Sequence, residues 1–262
     1  MKIAVCMKQV PADNNEVRVD PKTNTLIRQG VPGVINPDDL AGIETALQLK
    51  EAAGGQVTAV CMGLPQAEEA LREALAMGCD KALLLTDRGF AGSDTYATSA
   101  ILAAGLKKIG FDLVIAGRQA ADSDTAQVGP ELAERLGVPQ MTGVTEVKAE
   151  GEWIFARRQA EDRYYMLRVK TPCLITTVAE GNPPRYMTVK GVVDAYAAPV
   201  ERLGYEELKD HLAREDMGAA GSPTSVVSCF EKQAKGRGAV VKASPDEAVK
   251  AIMEALKAKH II

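Results

Sequence analysis

The chain has 262 residues, of which 46% are hydrophobic and 25% are charged, and its formal net charge at pH 7 is −4. This length allows one large α/β domain, alone or with an appendage, and a sizeable buried core. The mild negative charge gives no reason to expect nucleic acid or an anionic membrane as a partner. The opening segment MKIAVCMKQVP is too short in apolar residues for a signal peptide, and no later segment approaches the length of a membrane span. We therefore expect a cytoplasmic protein without membrane insertion.

Cysteine and histidine usage narrows the chemistry. The five cysteines form no C-x-x-C pair, and three of them, Cys6, Cys61 and Cys173, lie in predicted strands, where cysteine usually serves as a small hydrophobe. This pattern favours a reducing compartment over a disulfide framework. The two histidines lie far from any cysteine or acidic cluster, so a histidine metal site or a Ser-His-Asp triad is not expected. Any chemistry must come from a bound cofactor.

The first 137 residues alternate between strand and helix patterns. Short apolar strands are predicted at Lys2–Met7, Gln56–Met62, Lys81–Thr86 and Phe111–Ala116, and helices at Pro37–Ala53, Gln66–Met77, Asp94–Lys108 and Ala126–Leu136. This alternation predicts an α/β fold with a doubly wound, mostly parallel, Rossmann-like sheet. One insertion, Glu16–Gly30, alternates apolar and polar residues around a turn and is typical of an exposed β-hairpin.

The pattern changes after Leu136. Strands without long intervening helices are predicted at Met141–Ala149, Trp153–Arg158, Arg163–Val169 and Cys173–Val178, followed by a loop at Glu180–Tyr186, a linker at Gly218–Ser225 and a final amphipathic helix at Pro245–Lys259. We expect residues 1–190 to form the ligand-binding domain and residues 191–262 to form an extended C-terminal arm. The pattern alone leaves open whether the arm docks on its own domain or on another chain.

The most informative segment is Phe111–Gly137, which couples an apolar strand through a Gly-Arg-Gln loop to a helix. Gly117 lets the backbone approach a ligand, Asp122 and Asp124 are candidate helix caps, and a helix N-terminus suits a phosphate. The chain lacks G-x-G-x-x-G, a Walker A lysine and G-x-S-x-G, so a nucleotide has to be held by less standard loops at the carboxyl ends of the strands.

Structural alternatives exist for each candidate. Helix capping by Asn36 and core packing of Met62 are the favoured readings for these residues taken singly, whereas Arg118 is equally compatible with a solvated surface. The loop Thr86–Thr95 reads either as a long connection or as the rim of a planar ring system, with Phe90 as its aromatic residue.

Five blocks, in order, resemble the β (small) subunit of electron transfer flavoproteins. They are VCMKQVP at Val5–Pro11, the block Val17–Asp39, EALAMGCDKALLLTD at Glu73–Asp87, AGRQAADSDTAQVGPELAE at Ala116–Glu134 and NPPRYMT at Asn182–Thr188. The resemblance implies a heterodimer with a larger α subunit that carries an electron-transferring FAD, and a C-terminal segment that docks on that subunit. It also implies an adenine nucleotide in the present chain.

Two branches of this family differ in that nucleotide. In the respiratory branch it is AMP, a structural ligand. In the electron-bifurcating branch it is a second FAD, which is reduced by NADH and passes one electron to ferredoxin or flavodoxin and one, through the α-subunit FAD, to an acyl-CoA dehydrogenase. The amino-acid sequences of Asp124–Val128 and of the loop Thr86–Thr95 resemble those of the bifurcating branch.

The resemblance also implies which residues contact the nucleotide, and it implies no catalytic side chain and no metal. The expected contacts are Cys6, Asn36, Asp39, Met62, Thr86, Asp87, Arg88, Ser93, Asp94, Thr95, Gly117, Arg118, Gln119, Ala120, Ala121, Asp122, Ser123, Asp124, Thr125, Ala126, Gln127 and Val128. Arg118 is expected to tune the flavin, because a nearby cation favours an anionic reduced form. The segment after Cys173 resembles the loop that recognises dehydrogenases, but Ala179–Asn182 lacks the leucine that anchors the partner in the respiratory branch.

Overall fold

The computed structural model of the chain describes residues 1–12, 18–19, 26–27, 32–227, 236, 238 and 240–262. These residues fall into two compact units, Met1–Val227 and Ser228–Ile262. The strands are β1 (Lys2–Met7), β2 (Gln9–Pro11), β3 (Arg18–Val19), β4 (Leu26–Ile27), β5 (Gly33–Ile35), β6 (Gln56–Met62), β7 (Lys81–Leu85), β8 (Leu113–Gly117), β9 (Gln140–Glu150), β10 (Trp153–Gln159), β11 (Tyr164–Lys170), β12 (Cys173–Thr177) and β13 (Val200–Leu203). The helices are α1 (Pro37–Ala53), α2 (Glu68–Met77), α3 (Thr95–Ile109), α4 (Val128–Leu136), α5 (Val189–Ala197), α6 (Tyr205–Leu208) and α7 (Pro245–Ala258).

The first unit is built on a nine-stranded sheet with the order β11-β10-β9-β12-β8-β1-β6-β7-β13. Neighbouring strands are parallel from β9 to β13 along this order, and β10 and β11 extend the sheet in antiparallel fashion. From β1 the chain first adds β6 and β7 on one side and then returns to place β8 on the other. The order of the strands therefore reverses between β1 and β8, which makes this pair the topological switch point of the sheet.

Helices cover both faces of the sheet, as the doubly wound prediction requires. In β1, Ile3 and Val5 pack in a core cluster that includes Ile43 of α1 and Leu71 of α2. The alternate residues Ala4 and Cys6 pack in a second cluster with helices α3 and α4 on the other face. Because both faces of β1 are buried, the strand is apolar throughout instead of alternating. The α/β fold class predicted from the sequence is confirmed.

The boundaries of the predicted strands and helices agree with the structure to within two residues. α2 begins at Glu68, after a 3₁₀ turn at Pro65–Ala67, and α4 begins at Val128 instead of Ala126. Ala126 has φ 54°, a left-handed conformation that cannot belong to a right-handed helix. The predicted linker Gly218–Ser225 is wrong as a linker: Ser222 Oγ accepts a hydrogen bond from the Asp94 N–H at 2.8 Å, and the Thr224 N–H donates to Asp94 Oδ2 at 3.0 Å.

The inserted hairpin and the C-terminal segment complete the architecture. The hairpin predicted at Glu16–Gly30 is represented by the antiparallel pair β3 and β4, and its turn lies outside the described residues. The first compact unit extends to Val227, so it includes β13 and the whole of α5, which spans the boundary predicted at residue 190. The second unit contains α7, where Ser244 and Glu247 form a capping box. Within the described residues no helix combines the length and the hydropathy needed to cross a membrane.

Candidate nucleotide site at the switch point

Three segments meet at the carboxyl ends of β1 and β8. Lys8 follows β1, residues 118–127 follow β8, and Asn36–Asp39 form the entry to α1. In open α/β sheets, ligands bind in the crevice outside the carboxyl ends of the strands at the switch point. The candidate site is therefore the loop of residues 117–127 with the side chains that support it.

Asp39 ties the ends of the two central strands together. Its Oδ1 accepts a hydrogen bond from the Gly117 N–H at 2.9 Å, and its Oδ2 accepts one from the Lys8 N–H at 2.8 Å. The residue is only 5% exposed. Burial raises the pKa of Asp39 to about 7, although both hydrogen bonds act in the opposite direction by favouring the carboxylate. Asp39 thus supports the site from beneath, and its carboxylate oxygens face the two strand ends.

Gly117 is fixed by this carboxylate. A Cβ at this position would lie 2.2 Å from Asp39 Oδ1 and 2.9 Å from Asp38 Cβ, distances that van der Waals contact forbids. The absence of a Cβ at Gly117 lets α1 approach β8. The approach of a ligand to this glycine stays a prediction.

Asn36 and Asp38 bind the loop after β8 through its backbone. Asn36 occupies the N-cap position of α1 but makes no capping bond with its side chain. Its Nδ2 donates to the Gln119 carbonyl at 2.8 Å, and its Oδ1 accepts from the Ala121 N–H at 3.0 Å. Asp38 Oδ2 accepts from the Gln119 N–H at 3.3 Å, and its Oδ1 accepts from the Ala179 N–H beyond β12 at 2.9 Å. The capping interpretation of Asn36 is therefore wrong for its side chain.

Two aspartates of the loop are also used internally. Lys8 Nζ pairs with Asp122 Oδ1 at 2.6 Å, and the Asp122 side chain is 1% exposed. Asp124 Oδ1 accepts from Gln119 Nε2 at 3.0 Å. The prediction that these aspartates cap α4 is wrong, because the N-cap is Gln127 and no side chain makes a capping bond there.

The tip of the loop is left available. Residues 123–127 are exposed, and Asp124 and Ala126 have φ angles of 49° and 54°. Left-handed backbone is uncommon outside glycine and clusters at ligand sites. The tip leads into the N-terminus of α4, whose backbone N–H groups lack a side-chain cap. Such a terminus suits a phosphate group.

A buried hydrogen-bond acceptor lies at the start of α4. Glu131 Oε2 in the first turn of α4 is buried and has no hydrogen-bond partner within the described part of the chain. The other oxygen, Oε1, accepts from Thr95 Oγ1 at 3.1 Å. A buried acceptor without a donor carries a free-energy cost that a sugar hydroxyl of a ligand would remove. The donors at the loop and this acceptor fit the phosphate and ribose of a nucleotide.

The cation expected from the sequence is accessible. The Arg118 side chain is 48% exposed, and its Nε lies 3.7 Å from Asp38 Oδ2. Its backbone N–H donates to the Thr177 carbonyl at 2.8 Å, which anchors the residue between β8 and β12. Arg118 can therefore reach a bound anion without losing its anchor.

Two further expected contacts lie at the base of the site. Cys6 in β1 is 6% exposed and packs in the core, and burial raises the pKa of its thiol, which keeps it protonated. Met62 at the end of β6 is partly buried against the same core cluster. Both side chains therefore form part of the apolar floor of the crevice.

The loop Thr86–Thr95 is held from outside the crevice. Asp87 accepts hydrogen bonds from the N–H groups of Gly89 and Tyr205, which lower its pKa, and Thr86 donates its N–H to the Leu203 carbonyl. Ser93 and Asp94 bind the segment at Gly218 and Thr224, and Arg88 is exposed. Thr95 Oγ1 lies 3.1 Å from Gln127 Oε1 and so connects this loop with the tip of the other.

Phe90 does not form a rim. The ring is 4% exposed and packs in the core beneath α3, so the interpretation of this residue as the wall of a ring pocket is wrong. Asp94 is instead the N-cap of α3, as its sequence position predicts, and its Oδ1 accepts from the Ala97 N–H at 3.0 Å.

The expected nucleotide contacts do not include several residues that the structure brings to the site. They are Lys8, Asp38, Ala179 and Glu131. Sequence position could have indicated Lys8 and Asp38 as site residues, because Lys8 follows β1 and Asp38 precedes Asp39 at the start of a helix. Ala179 and Glu131 carried none, because their roles depend on which strands and helices become neighbours.

The chain was compared with known proteins. The family model described as electron transfer flavoprotein domain matches residues 23–208. The chain is 49% identical over the full length of both sequences to electron transfer flavoprotein subunit beta of Clostridium acetobutylicum. It is 50% identical, again over both full lengths, to the caffeyl-CoA reductase-Etf complex subunit CarD of Acetobacterium woodii. It is 44% identical, with both chains fully covered, to the acryloyl-CoA reductase electron transfer subunit gamma of Anaerotignum propionicum.

The family match spans most of the sheet that builds the site, and the relatives align over their whole length. The chain belongs to the electron transfer flavoprotein family, as a relative of its beta subunits.

Proposed function

We propose that this chain is the β subunit of a bifurcating electron transfer flavoprotein and that its switch-point crevice holds FAD. Bound FAD would supply the redox chemistry, which is hydride acceptance from NADH and transfer of single electrons to ferredoxin or flavodoxin and, through an α-subunit FAD, to an acyl-CoA dehydrogenase. The observation that carries the proposal is the supported loop 117–127, whose exposed left-handed tip leads into an uncapped helix. Two relatives named as parts of CoA reductase systems support it.

The residues of this chain position the nucleotide and supply no acid or base. In this proposal the uncapped N–H groups at the start of α4 hold the phosphates, and the unpaired Glu131 Oε2 accepts from a sugar hydroxyl. Asp39, Asn36 and Asp38 hold the loop in shape through its backbone. Arg118 supplies a positive charge whose effect on a bound flavin is electrostatic.

AMP is the second candidate ligand. The burial of Phe90 favours it, because the loop Thr86–Thr95 then offers no aromatic wall to an isoalloxazine ring. The same crevice would hold AMP as a structural ligand, and the chain would serve to bind partners.

A partner surface lies on α5, which follows the segment that resembles the dehydrogenase recognition loop. Val189, Val193 and Tyr196 on this helix are 85%, 64% and 77% exposed, and Tyr186 before it is 96% exposed. Isolated exposed apolar residues are ordinary, but a group of this size on one short helix marks an interaction site. We propose that the dehydrogenase docks here, with valine and tyrosine in place of a leucine anchor.

A second surface lies on the C-terminal unit. Val249, Ile252 and Met253 of α7 are 60%, 59% and 42% exposed. An amphipathic helix that leaves its apolar residues exposed is suited to cover a partner, which supports docking of the arm on the α subunit.

The proposal is tested by anaerobic addition of NADH to the complex purified with its α subunit, with flavin absorbance as the readout. We expect NADH to bleach the flavin of this chain. In Arg118→Gln we expect a shifted midpoint potential with an unchanged melting temperature, whereas Arg163→Gln, which removes an exposed arginine paired with Asp162, keeps the wild-type potential. Absence of bleaching by NADH in a complex that dithionite bleaches fully sinks the proposal.

A further inference from the structure

A second cleft, of about 260 Å³, lies on the β12 side of the loop after β8. One wall consists of Arg118, Ala126 and Pro130 from the loop and the start of α4. The other consists of residues from three neighbouring strands, namely Thr142 and Gly143 of β9, Arg158 and Gln159 of β10, and Thr176 of β12. The cleft is therefore adjacent to the switch-point crevice, and Arg118 borders both.

The strand wall is shaped by two irregularities of β9. Against β12, Met141 pairs with Ile175 and Val144 pairs with Thr177, so that Thr142 and Gly143 together face Thr176. Against β10, Glu146 pairs with Arg157 and Val144 pairs with Arg158, so that the register shifts again. Bulges redirect side chains and are frequent beside functional sites. Here the two shifts fall at the residues that line the cleft.

Both walls of the cleft contain an unusual backbone conformation. Gly143 has φ 67°, a conformation that favours glycine, and its N–H donates to Thr176 Oγ1 at 3.0 Å. Across the cleft, Ala126 has φ 54°. Both walls thus contain left-handed backbone, which costs free energy and persists where the surroundings require it.

The lining of the cleft is positively charged. Arg118 and Arg158 are its charged residues, and it contains no carboxylate. Arg118 forms a long ion pair with Asp38, 3.7 Å away, whose oxygens also accept from the Gln119 and Ala179 N–H groups. Arg158 is exposed and makes no ion pair within the described residues. Two guanidinium groups that face one cleft repel each other unless an anion lies between them.

We propose that this cleft binds a phosphate group of a nucleotide between Arg118 and Arg158. Arginine binds phosphate through paired N–H groups, and the Thr142 hydroxyl and the Gln159 amide add neutral donors. The volume of about 260 Å³ accommodates a phosphate or pyrophosphate group. The site goes beyond the function proposed above, because it does not depend on whether FAD or AMP occupies the switch-point crevice.

The test uses the purified complex and isothermal titration with inorganic pyrophosphate, NAD⁺ and AMP. We expect Arg158→Gln to weaken binding of pyrophosphate and of one of the nucleotides by about tenfold, the loss of one charge-assisted contact. The matched control Arg163→Gln removes an equal charge from the turn after β10 and keeps wild-type binding. The double variant Arg118→Gln/Arg158→Gln is expected to lose less than the sum of both single losses, because both residues hold the same anion.

The nucleotide whose binding is weakened in Arg158→Gln identifies the source of the phosphate group. Weaker NAD⁺ binding with unchanged content of tightly bound nucleotide identifies a ligand from solution. Loss of the tightly bound nucleotide during purification of Arg158→Gln identifies the resident one. The proposal is overturned if Arg158→Gln and Arg163→Gln behave alike. It is also overturned if only inorganic pyrophosphate responds while NAD⁺ binding, AMP binding and bound nucleotide stay unchanged. Melting temperatures near wild type exclude misfolding as the cause.

Discussion

Asp39 connects the two strands on which the site depends. The ends of β1 and β8 each leave a backbone N–H, at Lys8 and Gly117, that no sheet neighbour can satisfy. One buried carboxylate accepts both bonds, and an amide in its place could accept only one. The cost is the burial of a charge, which is why the pKa of Asp39 is raised to about 7.

The variant Asp39→Asn should remove a pH dependence of stability. In the unfolded chain this carboxyl has its ordinary pKa of 3.8, and in the folded chain burial raises the pKa to about 7. Between these values the unfolded state has released the proton that the folded state retains. The stabilisation is therefore complete below pH 4 and is lost as the pH rises toward 7, by up to about 1.4 kcal/mol per pH unit.

The measurement is urea unfolding of wild type and Asp39→Asn from pH 4 to pH 8. We expect the wild-type free energy of unfolding to fall relative to that of the variant from pH 4 to about pH 7, and the two curves to run parallel above pH 7. Asp194→Asn, which alters an exposed carboxylate paired with Lys190, serves as the control and should follow wild type. Parallel curves for wild type and Asp39→Asn would show that the carboxylate is already ionised throughout.

Gly117→Ala tests the packing of α1 against β8. Its Cβ would meet Asp39 Oδ1 at 2.2 Å, so we expect a loss of about 1–3 kcal/mol in stability together with loss of bound nucleotide. Gly137→Ala is the matched control, because it has φ 66° and open space around the new methyl group. It should lose about 1–2 kcal/mol from backbone strain and retain its nucleotide. Equal nucleotide content in both variants would contradict the role given to Gly117.

Single residues of the site were only partly predictable. The positions of Gly117, Asn36 and Asp39 at strand and helix ends mark them for a site, and the resemblance of the surrounding blocks supports this. Their partners were not predictable, because Asn36 binds residues 83 and 85 positions away. Local capping rules therefore assigned Asn36, Asp122 and Asp124 to nearby helices, whereas long-range contacts engage the side chains of Asn36 and Asp122, and Gln119 of the same loop engages Asp124.

At the scale of elements, α5 packs against α2 while most of its own residues stay exposed. Only Ala195 of this helix is buried, and Gly191 lies so close to α2 that a Cβ would be 2.4 Å from the Ala76 carbonyl oxygen. Arg72 of α2 closes its C-terminal end, since Nη1 donates to the Ala195 carbonyl at 2.7 Å and to the Ala198 carbonyl at 3.3 Å. Arg72 thus fixes the C-terminal end of the helix that carries the exposed apolar side chains.

Arg72→Gln should loosen α5 without unfolding the sheet. Charge-assisted bonds to helix carbonyls contribute about 1.5–3 kcal/mol, so amide exchange in residues 191–198 is expected to accelerate by tenfold or more. The measurement is hydrogen exchange by mass spectrometry. Arg202→Gln is the control, because Arg202 pairs with the same Glu68 from β13. If both variants accelerate α5 equally, the Glu68 network and not the C-terminal contact holds the helix.

Elements were predicted better than residues, for a physical reason. Strands buried on both faces, such as Leu113–Gly117, and helices closed by glycine, such as α2 before Gly78, carry their signals locally. The start of α4 and the segment Gly218–Ser225 carry no such signal. One depends on the left-handed Ala126 and the other on contacts with Asp94, more than a hundred residues earlier.

At the scale of the molecule, strand order decides where the site lies. The reversal between β1 and β8 separates two parallel strands whose following loops diverge, and the crevice between them receives Asn36 and Asp39 from α1. The alternation of strands and helices predicted the sheet, and the strand order then places the predicted loops together. The position of β13 at the edge next to β7 was not predictable, since the strand has only four residues and two of them are exposed.

The most direct test of the central claim is the nucleotide content of the purified complex with the α subunit, measured by chromatography after denaturation. We expect two FAD and no AMP per heterodimer in wild type, and one FAD in Gly117→Ala, because only the switch-point crevice is altered. One FAD with one AMP in wild type would contradict the assignment of a redox-active flavin to this chain, and two FAD retained in Gly117→Ala would contradict its location at the switch point.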